Sequence, residues 1–488
     1  SFLLLSAPQQ YVLIHSTPTH NPAHDCASFI QVTDRVQGYY ERFPPKSFNV
    51  AIEERPRPGH PAAKVVVLTQ DVAAGETIYK EYPIVTALDP DVQSAGTHCT
   101  HCFRTIQPNL SLVLPLDADP LHSRFCSQAC LVANKAQSHT ILFSQDSPIP
   151  EELSIPIPIP EESKQARREA QDKYVAYLKK EGRTAPLLAA RFIARQLAAE
   201  TIKVAGGGKT RKLPGVENDY TDTDDTEYVL ADHLERLKAL DLDSVQPDEE
   251  ELTLLVEVLK AGFPGLDEFV NDERYALMIA KMRFNSYGVC FDGGRDDRPV
   301  PTVPVEEMER TRTPHGTSRQ IGSALYTLSS YLPHSCIPSA RVSFTSGTTE
   351  IHVVANRDLK KGDEVTVAWV DVAQRVGSGE SIVECRRRRR FELVRGWKFA
   401  CGCQRCEDEA KVGEEKVKEV KKEGEEEDKT IGAINSVPIP KVDGELQTAS
   451  EEAEPVEASS AIAEQPDSTE VQPPVVDEEV TQAGIIQA

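Results

Sequence analysis

Two short cysteine pairs, Cys99-x2-Cys102 and Cys126-x3-Cys130, constrain this chain more than any other feature of it. A structural zinc site wants four thiolate or imidazole ligands in a tetrahedron, and two chelating pairs supply them without help from a large core. The other cysteines are Cys336, a tight Cys401-x-Cys403-x2-Cys406 set, and Cys26, Cys290 and Cys385, which stand apart. The total of 11 is odd, so disulfides cannot use every thiol, and pairing of this kind in an intracellular chain points to metal first.

The totals set further bounds. With 488 residues there is room for two or three domains and an ample core. A hydrophobic content of 39% suits a soluble protein with some disorder, and no apolar run approaches the roughly 20 residues that span a bilayer. Phe2-Leu3-Leu4-Leu5 is too short for a signal h-region and lacks a basic flank, so secretion is not expected; the chain also begins without Met, as a truncated gene model would. The net charge of −23 is uneven: from Glu407 onward 23 acidic residues face 7 basic ones, so that stretch carries −16 and the rest only −7. Such a chain is ill-suited to tight unspecific nucleic-acid binding, and no direct sequence-specific nucleic-acid contact is expected. Basic proteins or basic tails are the natural partners.

Along the chain, residues 1–45 show little periodicity and read as a loose segment, in part ordered by packing. Lys64 to Tyr79 reads as strand, turn at Gly75, strand, and Lys80-Glu-Tyr-Pro-Ile-Val85 follows. Ile-Pro alternation from Pro148 to Pro160 predicts an extended linker. Apolar residues at helical spacing then predict helices over 163–181, 185–204, 228–242, 248–259 and 267–283. Gly206-Gly-Gly208 and the acidic cluster at 221–225 read as loop, since the glycines lack the Lys-Ser/Thr that follows a phosphate cradle. Phe284 to Phe291 returns to strand, Asp292 to Gly316 is a polar loop, and Gly322 to Ser330 is a short helix or strand. Ala340–Phe344 and Glu350–Ala355 alternate as a hairpin around Ser346-Gly347, and a turn at Arg357–Glu364 leads into a strand over Val365–Val370. The run Arg386–Arg390 admits a nuclear-localisation or nucleic-acid reading, but Phe391, Leu393 and Val394 favour a packed helix with a basic face. From Glu407 the composition predicts a disordered tail.

Three stretches carry a likeness: Ser330-Tyr-Leu-Pro-His-Ser-Cys-Ile-Pro-Ser-Ala340, Lys361-Gly-Asp-Glu-Val-Thr-Val-Ala-Trp369 and Phe399-Ala-Cys-Gly-Cys-Gln-Arg-Cys406. In this order and at these spacings they resemble the core of SET-domain lysine methyltransferases, of the fungal histone-lysine kind, in the branch with a MYND-type zinc insertion. The resemblance, from about residue 50 to 409, implies an α+β chain. Its parts would be a β-rich SET fold split by a small zinc module and a helical insert, a C-terminal zinc-bound post-SET segment, and a disordered acidic tail. After the loose segment 1–45 it assigns 46–95 to the first part of the SET domain, 96–145 to the zinc insertion and 146–162 to a Pro-rich linker. The helical insert takes 163–283, the SET core 284–372, the post-SET segment 373–409 and the tail 410–488. Phe125 before Cys126 and the Cys-x3-Cys spacing resemble the later half of the first MYND zinc site, but two intervening cysteines and the His-Cys pair of a full module are missing. A reduced module with one zinc on Cys99, Cys102, Cys126 and Cys130 is therefore expected, with His139 at a surface or helix end. In the family the cysteine at Cys336 joins those at Cys401, Cys403 and Cys406 around another zinc, so two sites are implied.

The implied activity is methyl transfer from S-adenosylmethionine to a protein lysine, with histone tails the favoured substrate, chromatin one setting, and nucleus and cytoplasm both open. In-line displacement needs a neutral amine, and at a reference pKa near 10.4 deprotonation at pH 7 costs roughly 4–5 kcal/mol; a dry channel and alignment supply the rest. No strong acid is required, in keeping with the lack of a visible carboxylate dyad, Ser/His/Asp set or His-Glu-x-x-His. The resemblance places His334 and Ser335 with Pro333 at the cofactor, Asn285 as a further contact and Phe399 on the adenine. Three positions depart from the pattern. Pro333 replaces an Asn and loses a donor. Gly59 alone stands where the family has Gly-x-Gly. Trp369 fills the slot of the catalytic Tyr, offering an indole N–H in place of a hydroxyl, with Tyr287, Tyr326 and Tyr331 as candidate substitutes. These departures sustain a second reading: a catalytically weak or silent SET-fold zinc protein that binds a lysine-containing tail or partner.

Overall fold

The computed structural model describes residues 38–57, 60–107, 112–113, 119–148, 160–205, 213–215, 230–245, 248–262, 270–299 and 309–412. The chain divides into two units, Ser1–Lys421 and Lys422–Ala488, and every described residue belongs to the first. The expectations for Gly59, the linker at 149–159, the glycine run, the 221–225 cluster and the tail from 413 lie outside the described residues.

Strand β1 (Val50–Arg57) pairs antiparallel with β2 (His60–Leu68), where the β-branched run drives Val65, Val66 and Val67 into the interior. Gly75, at φ +84°, makes the predicted turn into β3 (Thr77–Glu81), a backbone angle that glycine adopts freely. Strand β4 (Val85–Leu88) follows, then the short pair β5 (Leu112–Val113) and β6 (Arg124–Phe125), and neither β3 nor β4 pairs with its sequence neighbours. β3 joins the far hairpin of β9 (Ala340–Ser343) and β10 (Ile351–Ala355), while β4 joins β8 (Gly322–Leu325), itself paired with β7 (Tyr287–Val289). The two ends of the folded region thus complete each other's sheets across everything between them. The contact is close at Gly322, opposite Leu88, where a Cβ would come within 2.5 Å of the Ala87 carbonyl and 2.6 Å of the Phe103 ring.

Helix α1 (Pro90–Ala95) leads to the cysteine pairs, which are followed by α2 (Gln128–Asn134), continued through a π-helical stretch (Lys135–His139) into Thr140–Leu142. The predicted helices form as α3 (Glu161–Glu181), α4 (Ala185–Ala205), α5 (Leu230–Arg236), α6 (Glu249–Gly262) and α7 (Asp272–Asn285). α4 buries Leu187, Leu188, Phe192 and Ile193, and it also buries Arg191 and Arg195. A buried guanidinium is costly without acceptors. These two donate to Thr86 O, at 2.5 Å, and to Ile84 O, so they bolt the insert onto β4. Among the described residues no helix is long and apolar enough to cross a membrane.

One expectation is met only in part and one fails. The N-terminal segment, read as loose but in part ordered by packing, is ordered at its end: Tyr39–Arg42 is helical, and Tyr39 and Phe43 are core residues, with the Tyr39 hydroxyl 2.6 Å from His233 Nδ1. Val365–Val370 is not a regular strand, because its backbone partners alternate. Val365 N–H donates to Val66 O and Val367 N–H to Pro333 O, while Ser335 N–H and Ala340 N–H donate to Val367 O and Thr366 O. The segment is threaded between β2 and the 333–340 stretch, so its bonds never form a ladder with one neighbour. The basic run is helical as predicted, in α8 (Ile382–Trp397), whose start is fixed by a Ser381–Glu384 capping box.

Candidate functional site

Each cysteine group is gathered by local backbone. A tight turn bonds Phe103 N–H to Cys99 O and Cys99 N–H to Arg104 O, while Ser127 caps α2 by accepting from Cys130 N–H. The four ligand sulfurs of Cys99, Cys102, Cys126 and Cys130 lie within 4.8 Å of one another, as do those of Cys336, Cys401, Cys403 and Cys406. A tetrahedral zinc with Zn–S near 2.3 Å sets sulfurs about 3.8 Å apart. The 3.6 Å separations Cys102–Cys126, Cys126–Cys130 and Cys336–Cys406 match that, and none of the described cysteines is in a disulfide. Both sets therefore fit zinc. Cys336 comes from the central motif and its partners from beyond α8, so the second centre ties distant parts of the chain together.

His139 ends the π-helical stretch, one of the two expected settings, but it is buried rather than at a surface, 3.9 Å from Asp119 and packed against Phe143, and it belongs to neither cysteine group. Neither of its ring nitrogens has a hydrogen-bond partner, and burial lowers its pKa to about 4.

The central motif is held from below by Glu81 at the end of β3. Its fully buried carboxylate accepts from Thr327 Oγ1, Leu328 N–H, Ser329 N–H and Ser329 Oγ, fixing the turn that delivers Pro333 and His334. Burial lowers the His334 pKa to about 4, so the ring is neutral at pH 7. Its Nδ1 accepts from the Trp369 backbone N–H at 3.1 Å, which leaves the proton on Nε2, 3.4 Å from Cys336 Sγ. His334 thereby couples the second cysteine centre to Trp369. Phe399, half-buried, completes the group with its ring centroid 5.7 Å from Trp369 and 6.4 Å from His334.

Trp369 is wholly engaged. Its indole N–H donates to Leu332 O at 3.2 Å, and its ring packs on Phe284 and Trp397. Over it, 4.0 Å from the centroid, lies the guanidinium of Arg312. Arg312 is buried without a carboxylate; it donates to Phe284 O, Ser330 O and Asn285 Oδ1. Asn285, expected at the cofactor, is buried and also donates to Lys238 O and Lys281 O, so its side chain is satisfied inside the protein. The hydroxyls of Tyr287 and Tyr326 donate to Ser329 O and Thr349 O, and that of Tyr331 lies 3.4 Å from Tyr40 Oη. The structure thus brings together Pro333, His334, Ser335, Trp369, Phe399 and the second cysteine centre; the first centre is a separate set. Arg312, inside a polar loop, escaped sequence reasoning because nothing local marks a loop arginine as buried.

The SET domain family profile matches residues 63–369. A mouse protein named protein-lysine N-trimethyltransferase SMYD5 is 35% identical over 116 residues, 23% of this chain and 26% of that one. A Meyerozyma guilliermondii protein named histone-lysine N-methyltransferase SET5 is 34% identical over 111 residues, 22% of this chain and 21% of its own. The aligned regions thus span about a quarter of these relatives. A solved SET domain of LSMT, bound to lysine and AdoHcy, aligns over 78% of this chain and 58% of that one at 10% identity, with a TM-score of 0.26 that is too low to carry an argument.

Proposed function

Since this chain belongs to the SET-domain family, we propose that it is an S-adenosylmethionine-dependent protein-lysine N-methyltransferase of the SET and MYND type, with histone tails as its favoured substrate class. The observation that carries this reading is the junction of His334, Trp369 and Phe399 around the threaded 364–369 segment, closed by the second cysteine centre. The relatives' names, protein-lysine and histone-lysine methyltransferase, support the reaction class.

When bound, the cofactor supplies an electrophilic methyl group on a sulfonium. This chain's residues would do the rest. Phe399 and neutral His334 offer an apolar flank for an adenine, and zinc on Cys336, Cys401, Cys403 and Cys406 would hold Phe399 against the central motif. The Trp369 and Phe284 rings would wall the acceptor side and exclude water. Arg312 places a fixed positive charge behind the Trp369 ring, so an amine brought to that wall is favoured in its neutral form, which the displacement needs.

A second reading rests on one specific observation. The Trp369 N–H is spent on Leu332 O, and the Tyr287 and Tyr326 hydroxyls on carbonyls, so none of these groups is left to orient an amine. A SET-fold protein that binds a lysine-containing tail with little or no turnover would look like this. Radiomethyl incorporation into core histones separates the two. The enzyme reading expects incorporation by the native chain that changes, without vanishing, in Trp369→Tyr. No incorporation by the native chain, with incorporation restored by Trp369→Tyr, would establish the silent reading.

A further inference from the structure

The arginine run on α8 is divided by the fold. Arg388 faces Glu380 and Asp371, Arg389 is fully buried against Glu409 and Cys385 Sγ, and Arg386 Nε donates to Cys406 O. Those three serve the interior. Arg387 and Arg390 point the other way, with no hydrogen-bond or ion-pair partner among the described residues. They share their face with exposed apolar side chains, among them Phe391, whose ring carries the Arg395 guanidinium 4.3 Å from its centroid. At about 100° per residue, Val383, Arg387, Arg390, Phe391 and Val394 fall within roughly a 100° arc, opposite Cys385, Arg389 and Leu393. Phe391 is 53% exposed and Val394 44%. Glu384, about 20° beyond the edge of that arc, is engaged by Ser381 in the capping box, and Glu392 lies further round, so the arc itself carries cations and apolar surface. Val376 and Ile382, also exposed, lie just before it in sequence.

We propose that this outer face of α8 is a docking surface for a partner protein, which presents an amphipathic segment with carboxylates beside bulky apolar residues. Charge complementarity selects the occupant: two guanidiniums without partners among the described residues lie to one side of an exposed aromatic that Arg395 covers from another, and an acidic, apolar segment satisfies both the cations and the ring. A nucleic acid would satisfy the arginines and leave Phe391 and Val394 against phosphate, and two phosphate contacts supply little affinity at physiological salt. The face is separate from the His334–Trp369–Phe399 junction, so the inference does not depend on the catalytic reading.

Fluorescence anisotropy on the full chain tests it, with a labelled helical peptide of about 15 residues built from Glu, Leu and Ala at i, i+4 spacing. Saturable binding is expected, weakened about tenfold both by Phe391→Ser with Val394→Ser and, independently, by Arg387→Glu with Arg390→Glu. The variants change side chains that are exposed or, at Arg390, half-buried, and unchanged thermal melts would certify the fold. Absence of peptide binding, or binding indifferent to both pairs, would overturn the proposal. So would tighter binding of duplex DNA that only the arginine pair removes, or self-association of the native chain lost in the Phe391 and Val394 variant, which would make a second copy the occupant.

Discussion

Arg312 is the residue that fixes the Trp369 ring in place. It satisfies three buried oxygens while stacking on that indole, a strong cation–π partner. Arg312→Met strands those oxygens and removes the stacked charge. A loss of about 2–4 kcal/mol in denaturant unfolding is expected, with a red shift of emission from the chain's 2 tryptophans, which pack 5.3 Å apart. Unchanged stability with unchanged emission would show that the pair is incidental. At this scale the gathering of His334, Cys336, Trp369 and Phe399 in one place was legible through the resemblance carried by their short motifs. Arg312 and the burial of His139 were not, because what surrounds them comes from remote parts of the chain.

At the scale of elements, periodicity revealed all five insert helices, since each has an apolar face to bury, but it ran the helix at Leu230–Arg236 on to 242 and began the one at Asp272–Asn285 at 267. It misled at Val365–Val370, where an apolar run suits a strand but the segment is threaded between two others. The two cysteine centres differ in what they join. Cys99 to Cys130 closes a local module; Cys336 with Cys401, Cys403 and Cys406 ties the central motif to the segment beyond α8. Purified protein is expected to carry two zinc equivalents by metal analysis, falling by about one in either Cys99→Ser or Cys336→Ser. Proteolysis distinguishes them: Cys336→Ser is expected to expose the chain near residues 398–410 to cleavage, and Cys99→Ser to leave that region protected. Two zinc equivalents retained in either variant, or fewer than two in the native chain, would contradict the assignment.

Across the whole molecule, the pairing of β3 with β10 and β4 with β8 makes the folded region one cooperative object, and its stability is tied to buried histidines. Burial lowers His139 to about 4 and His233 to about 3. Because these folded pKa values are depressed, their stability is fully present above the unfolded value of about 6.5 and is lost as pH falls toward the folded values. Each histidine is expected to forfeit roughly 2 kcal/mol between pH 7.5 and 5.0, and His139→Leu should lower the pH slope of urea stability by about one proton. An identical slope in the variant would remove His139 from the account.

The most direct test of the central claim is calorimetric titration of the zinc-replete full chain with S-adenosylmethionine. The account predicts one saturable site, lost in Cys336→Ser, where the tie between His334 and Phe399 is cut, and kept in Cys99→Ser. Heat of dilution alone in the zinc-replete protein, or binding that survives Cys336→Ser and disappears in Cys99→Ser, would contradict it.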